Sequence, residues 1–166
     1  LLNLLDYQRA HPQCGLIFSS SCTVYGQADA LPIPESAPIK PAESPYGNTK
    51  QVGEEILRDA VRAFNLKVIA LRYFNVEGAD PKGRIGQSTP HATHLIKVAG
   101  QAALGQRERL EVFGTDYDTP DGTCLRDYIH VMDLAEGHRE ALHSLLSADP
   151  QLLTLNLGSG QGASVL

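Results

Sequence analysis

The chain has 166 residues, 42% of them hydrophobic and 20% charged, a composition that can build one globular core. A net charge of −5 and a pI near 5.6 exclude the basic footprint of a nucleic-acid binder, and no apolar run approaches the roughly 18 residues of a membrane span. The three cysteines, Cys14, Cys22 and Cys124, form no CxxC pair and are odd in number, which argues against a disulfide framework and fits a reducing cytoplasm.

Residues 1–10 carry helical apolar spacing at Leu1, Leu4, Leu5 and Tyr7, and His11-Pro12 ends that helix. The absence of an N-cap and of an initial Met leads to the expectation that the natural chain starts further upstream. Residues 15–18 form a short apolar run, expected to be a strand buried on both faces, and it leads directly into Ser19-Ser20-Ser21. Residues 27–44 read as a loop punctuated by Pro32, Pro34, Pro38 and Pro41. Ser44 is an N-cap and Pro45 the first helical position of a long helix that runs to about Phe64, with Asn65 as its stop. On that helix Val52, Ile56 and Ala60 form an apolar stripe, suited either to covering a sheet or to pairing with a second subunit.

A second buried strand is expected at residues 68–71 and a loop at 77–90. A helix is expected over 91–104 with Gly105 at its C-terminal end, and a short strand over 110–113. A turn-rich loop covers 114–123, a strand 128–131, a helix 133–147 and a last strand 152–157. Strands alternating with crossover-length helices predict an α/β fold with a doubly wound parallel sheet. Ligands in such folds sit at the carboxyl ends of the strands, so the polar clusters after Phe18, Leu71 and Val112 are the places to look.

The chemistry-bearing pattern is Tyr46-x-x-x-Lys50. An i,i+4 spacing puts both side chains on one helix face. A free tyrosine, with a pKa of about 10, is ionised in only about one molecule in a thousand at neutral pH, and a fixed cation nearby favours the phenolate. The pair therefore has the makings of a general base. Alone, the spacing is equally that of an ordinary exposed helix face. Three serines at a strand end add weight, although serines there also serve to satisfy backbone groups in a turn. His91 and His94, three apart, have no nearby Cys or acidic cluster, and no metal site is expected.

Four segments in order carry a resemblance: residues 18–26 (FSSSCTVYG), 44–50 (SPYGNTK), 71–79 (LRYFNVEGA) and 126–135 (RDYIHVMDLA), with NLGSG at 156–160. Together they resemble the UDP-sugar 4-epimerases of the extended short-chain dehydrogenase/reductase family. The resemblance implies a partial Rossmann-like sheet with the beginning of a smaller C-terminal substrate domain. It assigns 1–75 to the C-terminal half of the NAD-binding Rossmann domain with the catalytic Ser/Tyr/Lys, 76–127 mainly to substrate-binding segments, and 128–166 to a return to the sheet and the start of the remaining substrate domain. It further implies reversible epimerisation at C4 of a UDP-hexose, UDP-galactose or UDP-glucose, through a transient 4-keto sugar with NAD as bound cofactor.

The same resemblance assigns roles. Tyr46 takes the proton of the 4-hydroxyl, Ser21 hydrogen-bonds the 4-oxygen, and Lys50 binds the nicotinamide ribose and activates Tyr46. Phe74 lies beside the nicotinamide, which Ser21 and Tyr46 also border. Asn75 and Arg126 contact the diphosphate, Glu111, Val112 and Phe113 hold uracil, and His94-Leu95 face the substrate. Arg126 also has a plain alternative, an ion pair with Asp127 or Asp133. The expected partners are a UDP-sugar and, in a cytoplasmic enzyme, a second copy of the chain, with no nucleic acid and no membrane.

Among relatives, a nucleotide-sugar 4,6-dehydratase needs an acidic pair where this chain has Cys22-Thr23. UDP-pentose and UDP-uronate 4-epimerases stay open, because the residue that gates sugar size lies beyond Leu166. A non-catalytic nucleotide-sugar-binding protein would have no need of Ser21, Tyr46 and Lys50 together. The family's Gly-rich pyrophosphate loop and its ribose-binding acid are expected upstream of Leu1, and a further nucleotide-gripping Arg and Tyr downstream of Leu166. Residues 1–166 alone are thus expected to be inactive and marginally folded. A cooperative melt together with measurable NAD affinity for this segment would contradict that expectation.

Overall fold

The computed structural model describes residues 1–147 and 149–166. They form two compact units, Leu1–Phe74 with Ala135–Gly158, and Asn75–Leu134 with Ser159–Leu166.

The first unit is built on a parallel sheet of β1 (Leu16–Ser19), β2 (Val68–Tyr73) and β5 (Leu152–Leu157), in the order β1-β2-β5. Alternation along β2 sorts its side chains to two faces. On one face Leu16, Phe18 and Val68 pack with Leu5 of α1 (Leu2–Ala10) and with Leu57 and Ala60 of α2 (Pro45–Phe64). On the other, Ile69 and Leu71 join Ile17, Leu153 and Leu155 against Ala141 and Leu145 of α4 (Val131–Ser147). Helices on both faces make the sheet doubly wound, as expected from the alternation of strands and helices.

The long helix begins and ends where its sequence signals place it. The Ser44 hydroxyl accepts from Gly47 N–H at 3.1 Å, Pro45 occupies the first turn, and Asn65 closes the helix in the left-handed conformation at φ 56°. Its buried face is Gly53, Glu54, Leu57 and Ala60. Ile56 and Ala60 of the expected stripe do cover the sheet, but Val52 is exposed because it lies off that face. At Gly53 the helix comes so close to β1 that a Cβ would stand 2.8 Å from the Phe18 ring.

Because Val68 and Ala70 lie on the α2 side, Arg72 does too. It is 3% exposed and meets Glu54, 2% exposed, through both carboxylate oxygens, with Nε to Oε1 at 2.9 Å. Ser20 Oγ donates to the same Oε1 at 2.6 Å. Arg72 Nη1 donates to the Tyr25 hydroxyl at 2.9 Å, which donates to Asn156 Oδ1 at 2.7 Å. Asn156 N–H in turn donates to Glu35 Oε1 at 3.0 Å, and its Nδ2 to Ile33 O at 2.8 Å. Burial works against the Arg72 charge, but the hydrogen bonds to Glu54 and Tyr25 and the Glu54 charge outweigh it and hold the guanidinium's pKa above its usual value.

The second unit holds β3 (Asn75–Glu77) parallel to β4 (Arg126–His130), with β6 (Gly162–Ala163) antiparallel on the far side of β4. Its helix α3 (Leu95–Ala103) has no buried residue. Gly78, at φ 85°, leaves no room for a Cβ, which would stand 2.3 Å from the His130 ring.

Several expectations are corrected. β1 is only half-buried, since β2 is its one strand partner among the described residues. α3 starts at Leu95 rather than at residue 91: His91 sits at φ 55°, outside helical geometry, so His91 and His94 do not share a helix face. Residues 110–113 form no strand, because no neighbouring segment pairs with them among the described residues. The polar cluster after Val112 therefore does not follow a strand. Short β3 and β6 and the 3₁₀ turn Cys22–Tyr25 were not legible in the sequence. Among the described residues no helix is long and apolar enough to cross a membrane.

Two outcomes follow from this packing. Leu57 is fully buried between α2 and the sheet, so Leu57→Ala is expected to cost about 2–5 kcal/mol in urea unfolding. Glu35 is held below its ordinary carboxyl value of 4.5 by the Asn156 N–H, then by its own N–H and the Arg72 charge, against burial. A depressed folded-state pKa adds stability that is present above 4.5 and lost as pH falls through the lower value. Glu35→Gln is therefore expected to flatten the decline of Tm below that pH, and an unchanged decline would remove Glu35 from the account.

Candidate active site

The three serines after β1 have three different fates. Ser19 is exposed, and its carbonyl accepts from Lys50 Nζ at 2.7 Å. Ser20 is fully buried: its N–H donates to Phe18 O and Leu71 O, both at 2.9 Å, and its hydroxyl to Glu54. Ser21 is extended at φ −156° and caps the 3₁₀ turn, its Oγ accepting from Thr23 N–H at 3.3 Å. The third serine is thus set at the carboxyl end of β1 by its neighbour's burial and by the turn that follows.

Tyr46 and Lys50 sit side by side in the first turns of α2, as the spacing predicts. The Lys50 ammonium lies 5.4 Å from the Tyr46 ring centroid and 5.3 Å from that of Phe18. Tyr46 is 54% exposed, and among the described residues its hydroxyl has no hydrogen-bond partner. Lys50 uses one N–H donor on Ser19 O, which leaves two for an incoming ligand. Two free N–H donors beside an open phenol can meet a pair of vicinal hydroxyls, such as those of a dinucleotide's ribose. Phe74, half-buried, directly follows β2.

Gly158-Ser159-Gly160-Gln161-Gly162-Ala163 has the spacing of a dinucleotide phosphate loop. It does not act as one here. Ser159 N–H and Gly160 N–H already donate to the Asp127 carboxylate at 2.8 and 2.9 Å, and the segment leads to β6 rather than to a helix.

The remaining expected residues belong to the second unit. Asn75, on β3, donates through Nδ2 to Asp127 O at 3.1 Å. Arg126 opens β4 with its side chain exposed and Nη1 on Leu125 O at 2.8 Å. Among the described residues it forms no ion pair with either Asp127 or Asp133, and Asp127 instead accepts from Ser159 and Gly160. His94 holds the N-cap position of α3, where Gln87 Nε2 lies 2.6 Å from its Nδ1, and Leu95 is the first helical residue. Glu111 accepts from Arg109 at 2.9 and 3.1 Å, Val112 is half-buried and Phe113 is 82% exposed. No group of three or more His, Cys, Asp or Glu side chains converges among the described residues.

Sequence reasoning passed over Glu54, Arg72, Ser20, Tyr25 and Asn156 as a connected set. A signal was there. Glu54 continues the Tyr46, Lys50 face by one more turn, and Arg72 interrupts an otherwise apolar strand run, where a charge needs a partner.

The model of the NAD dependent epimerase/dehydratase family matches residues 1–158. UDP-glucose 4-epimerase of Azospirillum brasilense is 58% identical over 150 residues, covering 90% of this chain and 42% of that protein. That of Halalkalibacterium halodurans is 47% identical over 162 residues, covering 98% and 48%. Among solved structures, UDP-glucose 4-epimerase from Brucella ovis in complex with NAD superposes with a TM-score of 0.92 at 48% identity, over 99% of this chain and 50% of that one. The Bifidobacterium longum enzyme in complex with NAD+ and UDP gives 0.91 at 41%, over 99% and 49%. The chain spans about half the length of the curated relatives it matches.

Proposed function

The chain belongs to the NAD dependent epimerase/dehydratase family, and from that premise we propose that it carries the catalytic centre of a UDP-hexose 4-epimerase, interconverting UDP-galactose and UDP-glucose through a transient 4-keto sugar. The observation that carries the reading is the exposed Tyr46 phenol beside a Lys50 ammonium pinned to Ser19 O, at the carboxyl end of a parallel strand.

Bound NAD supplies a hydride acceptor and donor for C4 of the sugar. Tyr46 accepts the proton of the 4-hydroxyl and returns it when the alcohol re-forms. Lys50 places a fixed positive charge beside the ring, which carries negative charge before it takes the proton and again once it has returned it, and the two remaining N–H donors of Lys50 would take the ribose hydroxyls of the cofactor. Ser21 offers its hydroxyl to the 4-oxygen, a group that both donates and accepts as the proton moves. Phe74 walls the nicotinamide.

For the nucleotide, the Arg126 guanidinium, with no carboxylate partner among the described residues, is a bidentate ligand for the diphosphate, and Asn75 adds a neutral donor. The exposed Phe113 ring at the end of Glu111-Val112 is a platform for uracil. His94, its Nδ1 engaged by Gln87, presents Nε2 to the substrate beside Leu95. The same reading makes the enzyme a cytoplasmic homodimer.

The test uses the protein with all the flanking sequence its gene supplies. UDP-galactose is expected to yield UDP-glucose, and Tyr46→Phe to lower kcat by about 10²- to 10⁴-fold, the usual range for losing a general acid–base group. Full activity in Tyr46→Phe would contradict the assignment. Conversion of UDP-xylose or UDP-glucuronate without UDP-galactose would move the substrate to the pentose or uronate class.

A further inference from the structure

Three side chains of the site come from two segments far apart in sequence: Ser21 follows β1, whereas Tyr46 and Lys50 open α2. Chemistry at one sugar oxygen requires those segments to hold a fixed offset. The first contact between them is Lys50 on Ser19 O, made by a ligand-binding side chain at the surface. A second is Gln51 Nε2, which donates to Val24 O at 2.8 Å from the same helix. Lys50 reaches across at the surface, and Gln51 is half-buried with the same amide also bonded to Lys40 O at 2.6 Å, so neither contact ties the helix to Ser21 from within the core.

The buried tether lies one turn deeper. Glu54 is on the same helix face as Tyr46 and Lys50, at i+8 and i+4. One of its oxygens, Oε1, receives both the Ser20 hydroxyl and Arg72 Nε. Arg72 fixes the other oxygen and also donates to the Tyr25 hydroxyl, at the end of the 3₁₀ turn that Ser21 caps. Ser21 is therefore bracketed: the residue before it and the turn after it are both bonded to one ion pair. That pair is rooted in β2, the central strand, and in the helix that carries Tyr46. Asn156 of β5 completes the chain on the Tyr25 hydroxyl. All of these groups belong to the first unit.

We propose that Glu54 and Arg72, through Ser20 and Tyr25, are positioning residues for catalysis, setting the offset between Ser21 and Tyr46 rather than merely stabilising the core. This rests on the reading of Ser21 and Tyr46 given above. Removing one member of the pair leaves a buried charge unmatched and strongly destabilises the protein for reasons unrelated to position. The informative variant is the triple Ser20→Ala, Glu54→Leu, Arg72→Met, which replaces the polar cluster by apolar side chains. Such replacements of buried ion pairs commonly keep stability.

In the protein with its natural flanking sequence, the triple variant is expected to melt near the wild type. Its kcat for UDP-galactose is expected to fall by about tenfold to 10²-fold, with KM changed by less than about threefold, because misplacement by about 1 Å costs rate far more than binding. Hydrogen exchange is expected to quicken at Val24 N–H and Asn48 N–H, which in the wild type bond to Ser21 O and Ser44 O. A folded triple variant with wild-type kcat overturns the proposal. If the triple variant does not fold, Ser20→Ala alone decides: a fall in kcat of about threefold or more at constant KM supports positioning, and an unchanged kcat overturns it. If the wild type turns over no UDP-sugar, the functional reading fails separately. Exchange at Val24 and Asn48 then decides, in the triple variant or in Ser20→Ala if the triple does not fold: faster exchange upholds the tether and unchanged exchange overturns it.

Discussion

A buried charge must find its counter-charge, and in this chain that requirement sets where the working helix lies. Arg72 faces α2 because β2 alternates, and a guanidinium at 3% exposure cannot stand alone there. Glu54 answers it from α2, so the helix can neither slide nor rotate by a turn without stranding both charges. Stranding one partner of such a pair costs about 3–5 kcal/mol, a large part of the stability of an ordinary domain. Apolar packing by Leu57 and Ala60 supplies attraction between helix and sheet, but it tolerates small shifts. The bidentate pair does not, since both carboxylate oxygens are occupied. Gly53 works in the same direction by letting the helix approach Phe18.

From that fixed helix the site follows outward. Tyr46 and Lys50 are the first turns of α2, and Ser19 to Ser21 are the exit of β1. Ser20 is buried on Glu54, and its neighbours are left toward the strand end, Ser19 with its carbonyl on Lys50 and Ser21 with its hydroxyl on Thr23 N–H. The helix start is held by Ser44 and Pro45, which place Tyr46 in the open while its backbone is already helical. A phenol that is 54% exposed and has no hydrogen-bond partner among the described residues contributes little to stability, so Tyr46 is not held in place by any need of the fold.

Elements written in local chemistry were legible in the sequence. The Ser44-Pro45 start and Asn65 stop of α2 and the limits of β5 at Leu152 and Leu157 all stand where the sequence puts them. Elements that depend on a distant partner were not. β3 and β6 are too short to carry a pattern and exist because β4 lies between them. Residues 110–113 have strand composition but no neighbour to pair with. The helix expected from residue 91 starts at Leu95, since His91 takes a left-handed turn. The Tyr46 and Lys50 pair was readable because it is local. For Glu54 and Arg72 the sequence signals only that each is out of place, a charge in an apolar strand and a carboxylate on the Tyr46 face, because 18 residues and a change of element separate the two partners.

The most direct test is a crystal structure of the protein, expressed with its natural flanking sequence, bound to NAD and a UDP-sugar. The account predicts the Tyr46 hydroxyl within about 3 Å of the sugar 4-oxygen, with Ser21 Oγ on the same oxygen and Lys50 on the ribose hydroxyls of the cofactor. A sugar whose 4-oxygen meets neither Tyr46 nor Ser21 would contradict it.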